Sequence, residues 1–123
     1  MKQKYIVGDV VMYDNKIMVV KEPRDGSHFD LSCHKEGLVY CFVDIDEIKP
    51  VSLTQEILEK NWWAKDKEGY INDSYHLHLC GKYDEYSVYK VVNDNVVWLT
   101  GVRNVSDLQH LLFGLGINHE MEV

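Results

Sequence analysis

Turn chemistry interrupts this chain so often that no long helix or strand can run through it, which restricts it to a fold of short strands. Asp14-Asn15-Lys16, Pro23-Arg24-Asp25-Gly26-Ser27, His34-Lys35-Glu36-Gly37 and Lys65 to Gly69 hold residues that tolerate positive φ or preset a reversal. Between them lie runs rich in Val, Ile, Met and Tyr, which suit a half-buried pleated surface. Asp9 to Tyr13 and Ile17 to Lys21 are predicted to form a hairpin, followed by a third strand near His28 to Ser32. Leu38 to Val43 is apolar on both alternating faces, so it is expected at the centre of its sheet, covered on both sides. A helical turn at Asp44 to Ile48 and a strand at Lys49 to Leu53 would complete this half.

Beyond the seam at Lys49-Pro50, Ser52-Leu53-Thr54-Gln55 offers an N-cap serine with glutamine three residues on, predicting a two-turn helix over Thr54 to Lys60. Tyr70 to Ile71, Tyr75 to Leu79, Tyr86 to Val92 and Val96 to Leu99, spaced by Gly, Asn and Asp, read as an antiparallel meander. Ser106-Asp107-Leu108-Gln109 is a second capping box. Leu108, Leu111, Leu112 and Leu115 recur at helical spacing until Gly116 supplies a stop. The expected architecture is α+β. Residues 1–53 form a small bent β-barrel, and residues 54–123 form a meander across which the last helix lays its leucines.

The opening Val7-Gly8-Asp9-Val10-Val11 resembles the first strand of many small SH3-like barrels, and the N-terminal lobe is expected to be one. Three segments together resemble a group of small uncharacterised proteins from gut-bacterial phages and mobile elements: the Gly8-Asp9 hairpin, Pro50 through Asn61, and Val105 through Leu112 with Gly116-Ile117. That resemblance carries no activity and no residue roles. It implies a setting in which small acidic non-enzymes serve virion assembly or counter host defence, some by binding nucleotide immune signals.

Charge narrows the partners. Thirteen Lys and Arg face twenty Asp and Glu, a net charge of -7 that repels the phosphate backbone of nucleic acids. The first fifty residues carry seven positive and nine negative side chains and the remaining seventy-three carry six and eleven, so the acidity lies mainly in the second half. No apolar run approaches the roughly 18 to 20 residues of a membrane span, and no apolar signal segment follows Met1, so a cytoplasmic address is expected. Cys33, Cys41 and Cys80 are odd in number with no C-x-x-C spacing, which points to reduced thiols, Cys41 among them as a packing residue.

His76-Leu77-His78-Leu79-Cys80 is the most suggestive local pattern: on a strand His76, His78 and Cys80 would share one face. Two imidazoles and a thiolate are zinc ligands, with Cys33, His34, His110 or His119 as a fourth, and a zinc-dependent hydrolase is the weakest reading. No phosphate loop, nucleophile elbow or metalloprotease helix is present, and neither catalysis nor a cofactor is expected.

The aromatic residues give the favoured reading. Trp62, Trp63, Tyr70, Tyr75, Tyr83, Tyr86, Tyr89 and Trp98 are eight of the fourteen aromatics, and strand alternation cannot bury them all, since Tyr86 and Tyr89 must point oppositely. Exposed Trp and Tyr suit a flat heterocycle or a protein surface. The expected function is therefore a non-catalytic protein, a homo-oligomer, that sequesters a nucleotide-derived small molecule such as a cyclic ADP-ribose-type immune signal. Trp62, Trp63, Trp98, Tyr86 and Tyr89 would enclose the ligand, Arg24 would border it, and Arg103 with the helix opening at Ser106 would hold phosphate, with Lys82 and Lys90 as further cations. The alternative is a protein-interaction or virion-assembly module.

Overall fold

The computed structural model describes residues 5–33, 35–82 and 85–123. It contains two five-stranded antiparallel sheets and two α-helices, an α+β arrangement. Among the described residues no helix is long and apolar enough to cross a membrane.

The first unit comprises the chain up to Val51 together with Val105–Met121. Its strands are β1 (Val10–Tyr13), β2 (Lys16–Asp25), β3 (His28–Cys33), β4 (Leu38–Asp44) and β5 (Lys49–Pro50), with a 3-10 turn at Ile45–Glu47 before β5. The β1–β2 hairpin closes through Asp14 and Asn15, at φ 51° and 58°, the backbone that a two-residue turn of matching twist requires. Strand β2 runs through Pro23 to Asp25, so the reversal expected over Pro23 to Ser27 is confined to the last two residues of that segment. Two irregularities in its pairing with β3 absorb the proline, and the chain turns at Gly26-Ser27, where the Asp25 carboxylate accepts from Ser27 N–H at 2.8 Å. Alternate residues Met18 and Val20 join Tyr5, Val11, Phe29, Leu31, Val43, Ile45 and Ile48 in one core.

The sheet order β4-β3-β2-β1-β5 is open, with β4 and β5 at its edges. This corrects the expectation for Leu38 to Val43. Strand β4 is the outermost strand rather than the central one, and Leu38, Val39, Cys41 and Phe42 are exposed. Phe42 takes φ 58°, its N–H donates to the Asp30 carboxylate at 2.9 Å, and its ring stacks on His28 at 4.2 Å. Cys41 is accordingly a surface thiol, not a packing residue.

The last helix, α2 (Val105–Gly114), belongs to this first unit and does not group with the meander, contrary to the sequence expectation. Of its predicted leucine stripe Leu108 and Leu112 are buried, Leu111 is half-buried and Leu115 is exposed, and polar side chains select the helix's position. Gln109, fully buried, accepts from Val10 N–H at 2.7 Å and donates to the carbonyls of Gly8 at 2.7 Å and His119 at 2.9 Å. At the far end Gly116, at φ 74°, places its N–H on Phe113 O and that of Ile117 on Leu112 O, 3.0 and 2.9 Å. These are the two paired bonds of a glycine-terminated helix, so the stop expected at Gly116 is where the helix ends.

The second unit, Ser52–Asn104, opens with α1 (Gln55–Lys60). Thr54, not Ser52, caps it, accepting from Ile57 N–H at 3.2 Å, while Ser52 makes an isolated bridge with Asn104. Strands β6 (Ala64–Lys65), β7 (Gly69–Asn72), β8 (Leu77–Lys82), β9 (Glu85–Val92) and β10 (Asn95–Val102) follow in consecutive order, the predicted meander. Tyr70, Leu77, Leu79, Tyr86, Val88 and Val102 are buried, with Tyr70 and Tyr86 edge to face at 6.2 Å.

Candidate functional site

Residues directly opposite on antiparallel strands share a face of the sheet. In the second sheet the register aligns Ala64, Ile71, His78, Tyr89 and Trp98 in one row across all five strands. The adjacent row, Tyr70, Leu79, Val88 and Thr100, takes the opposite face and is buried as far as Val88. The sheet therefore has one buried face and one open face. Ile71, His78 and Tyr89 are half-buried, and Trp98 and Val96 are 58% and 63% exposed.

On this open face lies a cleft of about 550 Å³ lined by Asp66, Lys67, Glu68, His78, Cys80, Tyr89 and Val96. The sheet supplies the floor: imidazole, thiol, phenol and an aliphatic side chain. The β6–β7 turn supplies the wall, shaped by Asp66 N–H donating to Gly69 O at 2.8 Å and Lys67 N–H donating to the Asp66 carboxylate at 2.6 Å. Burial, then the negative charges of Glu68 and Asp66, push the Cys80 thiol above its ordinary pKa. At neutral pH it stays protonated and is a poor nucleophile and a poor metal ligand.

The zinc reading loses its third member. His76 precedes β8 in a turn at φ 54°, which breaks the alternation that would align it with His78 and Cys80. Among the described residues no group of three His, Cys, Asp or Glu side chains could hold a metal ion. His34, Tyr83 and the side chain of Lys82 lie outside the described residues.

The residues proposed to enclose a ligand are only partly brought together. Tyr89 and Trp98 are cross-strand neighbours on the open face, Tyr89 lining the cleft and Trp98 standing beside it, outside the lining. Trp63 and Tyr86 are buried, at 3% and 7% exposure, and belong to the core rather than to a site. Trp62 is 87% exposed, but it sits after α1 at φ 71° and does not line the cleft. Arg103 pairs with Glu85 at 3.6 Å, and Ser106 is a fully buried residue of the first turn of α2, in the other unit. Because α2 begins at Val105, Ser106 lies inside its first turn and is not its cap. Arg24 belongs to the first unit and is held by Asp30 at 2.6 Å. Lys90 Nζ donates to Tyr75 O at 3.2 Å. Among the described residues the cation that borders the cleft is Lys67, with the carboxylates Asp66 and Glu68, none of which sequence reasoning selected. The local signal was present: an acidic-basic-acidic turn joins two strands of the aromatic-rich half.

A second constellation sits in the first unit. Asp9 is fully buried, its Oδ2 accepting from Ile6 N–H at 2.9 Å and lying 2.6 Å from His110 Nε2, while Oδ1 has no partner. Burial raises the Asp9 pKa, outweighing the Ile6 amide and the His110 imidazole, which lower it. His119 Nε2 lies 2.9 Å from Val7 O, and its ring meets Phe113 edge to face. This cluster ties the segment before β1 to α2 and to the tail after it.

No protein-family model, no curated protein and no solved structure matches this chain.

Proposed function

We propose that this protein is a non-catalytic binding protein that holds a nucleotide-derived small molecule on the open face of its second sheet. The observation that carries this reading is the in-register row of His78, Tyr89 and Trp98 beside a cleft walled by two carboxylates and one amine. A flat base stacks on aromatic and imidazole faces with little loss of side-chain entropy. Asp66 and Glu68 accept hydrogen bonds from ribose hydroxyls, the role an acidic side chain takes in dinucleotide sites. Lys67 is the counter-charge for one phosphate. The acidic wall disfavours high phosphate charge, so nucleosides, monophosphates and ADP-ribose-type molecules, whose bridging diphosphate carries about two charges, fit better than triphosphates with about four. The protonated Cys80 thiol supports binding without turnover. Host immune signals of the cyclic ADP-ribose type belong to this ligand class and to the phage setting the sequence resembles. For the first unit we propose an SH3-like small β-barrel, a reading supported by its strand order and by the 3-10 turn before β5.

Thermal unfolding against nucleosides, mono-, di- and cyclic nucleotides and ADP-ribose derivatives tests this. A ligand at 100 times its Kd stabilises the folded state by about 2.7 kcal/mol. One ligand class should raise Tm and be recovered intact, and Tyr89→Ala should abolish the shift while Trp62→Ala and Arg103→Ala preserve it. A flat panel, or a shift indifferent to Tyr89, overturns the assignment.

A further inference from the structure

The two sheets present four edges, and three are guarded. Strand β5 is two residues long and contains Pro50, which has no N–H to offer, and β6 is two residues long with Lys65. Strand β4 also exposes Leu38, Val39 and Phe42, but its line is broken beside Phe42, at φ 58°, where the pairing with β3 shifts register, and it ends on the charged Asp44. Strand β10 is different. It runs for eight residues, Asn95 to Val102, without a charge or a proline, and Val96, Val97 and Trp98 are 63%, 48% and 58% exposed. Such an edge normally carries a lysine or is covered.

The backbone fixes which groups are on offer. Asn93 and Asp94, at φ 49° and 65°, form a two-residue turn, so the flanking Val92 and Asn95 exchange both hydrogen bonds. Alternation then turns the polar backbone groups of Val97 toward β9 and those of Val96 and Trp98 outward. The pairing with β9 stays regular to Trp98 and shifts only between Trp98 and Thr100.

We propose that β10 is a self-association edge that pairs antiparallel with β10 of a second copy about a two-fold axis at Val97. That register places Val96 against Trp98 of the second copy, both with outward backbone groups, so four N–H and C=O groups on each strand find partners. Asn95 meets Leu99 and Asp94 meets Thr100, so no like charges oppose across the seam. An antiparallel two-fold pair is isologous, which makes a second copy the occupant for which this uncharged edge is complementary. The axis is perpendicular to the sheet, so both open faces lie on the same side of a ten-stranded sheet. Trp98 of each copy then gains Val96 of the other beside it. The short outward segment and the -7 charge of each copy set a micromolar dimer that tightens as salt screens the repulsion.

The proposal rests on the strand edge and not on the ligand assignment. Sedimentation velocity on the full chain across a micromolar concentration series should show a monomer–dimer equilibrium that salt shifts toward dimer. Val97→Glu lies directly across from Lys90 within the chain, which favours folding, but faces its own copy across the axis. It should weaken association at least about tenfold without lowering Tm. As a check independent of Val97→Glu folding, Val97→Cys in a Cys41→Ser background should form an intermolecular disulfide on mild oxidation. Cα atoms in a non-hydrogen-bonded antiparallel pair are about 4.5 Å apart, within disulfide reach. A wild-type chain monomeric throughout, a dimer unaffected by Val97→Glu, or no crosslink at Val97→Cys overturns the proposal.

Discussion

Replacing Asp9 separates the two things its carboxylate does, and the structure gives them opposite signs. As an acceptor it satisfies Ile6 N–H at 2.9 Å and sits 2.6 Å from His110 Nε2. As a buried charge it is costly, because Oδ1 has no hydrogen-bond partner among the described residues. The cost appears as a pKa raised by burial. A carboxyl whose folded pKa lies above its unfolded value binds a proton more readily in the native state. Its contribution is therefore fully present below the unfolded pKa and is lost as pH rises through the raised folded value. At neutral pH the ionised Asp9 opposes folding. Asp9→Asn keeps an acceptor for Ile6 and a group that can pair with His110, and removes the charge, so at pH 7 it should stay within about 1 kcal/mol of wild type or exceed it. Asp9→Ala removes the acceptor and leaves the Ile6 N–H unpaired, a loss of about 2 to 3 kcal/mol. At about 4 °C per kcal/mol for a chain of this size, Tm should fall by about 8 to 12 °C. Calorimetric melts of the three proteins between about pH 7 and pH 4 provide the test. The wild type should gain on Asp9→Asn as pH falls. If Asp9→Asn melts as low as Asp9→Ala, and the wild type loses ground on acidification, the ionised carboxylate is stabilising and the reasoning fails.

Gln109→Ala should be among the most damaging single changes, because one fully buried amide serves Val10, Gly8 and His119. Leaving those backbone groups unpaired costs about 3 kcal/mol or more, read as a lowered urea midpoint. Gly69→Ala should weaken the β7–β8 pairing severely, since a Cβ there collides with the Leu79 carbonyl. Gly26→Ala, with open space around it, should be nearly silent, and hydrogen exchange of the two sheets distinguishes the cases. The Arg24 guanidinium and the Phe42 N–H hold the Asp30 carboxyl below the ordinary carboxylate range. Its contribution to stability is present above the unfolded pKa and lost as pH falls through the folded value, and Arg24→Ala should move the Asp30 titration upward in a carbon-13 NMR experiment.

What could be read from the sequence was local, and what could not was a matter of partners far along the chain. The Asp14-Asn15 turn, strand β3, the meander and the stop at Gly116 depend on residues within a few positions of each other, and each lies where turn and capping chemistry put it. Leu38 to Val43 misled because an apolar run on both faces does not say that the strand is covered, and here Leu38, Val39 and Phe42 stand exposed at a sheet edge. Leucines at helical spacing fix which face of α2 is buried but not against which sheet. That choice is made by Gln109 and His110, about a hundred positions away from Gly8, Asp9 and Val10. His76 misled because a single residue at positive φ resets strand parity, and histidine carries no outward sign of it.

Strand β9 shows where the folding requirement ends and another begins. Tyr86 and Tyr89 differ by an odd number of residues, so the pleat must send them to opposite faces. Tyr86 goes inward, meets Tyr70 edge to face and is 7% exposed, which is enough to account for an aromatic residue in a strand. Tyr89 goes outward between His78 and Trp98, on a face where β-propensity would be served as well by threonine or valine at less cost in exposed apolar surface. The next strand repeats the pattern at the sheet edge, where Val96, Val97 and Trp98 stand exposed on a strand that bears no charge. Neither feature strengthens the core of the isolated chain. Both are explained if the open face is occupied by a flat ligand and the β10 edge by a second copy, because each occupant removes from water the apolar surface that the monomer leaves exposed.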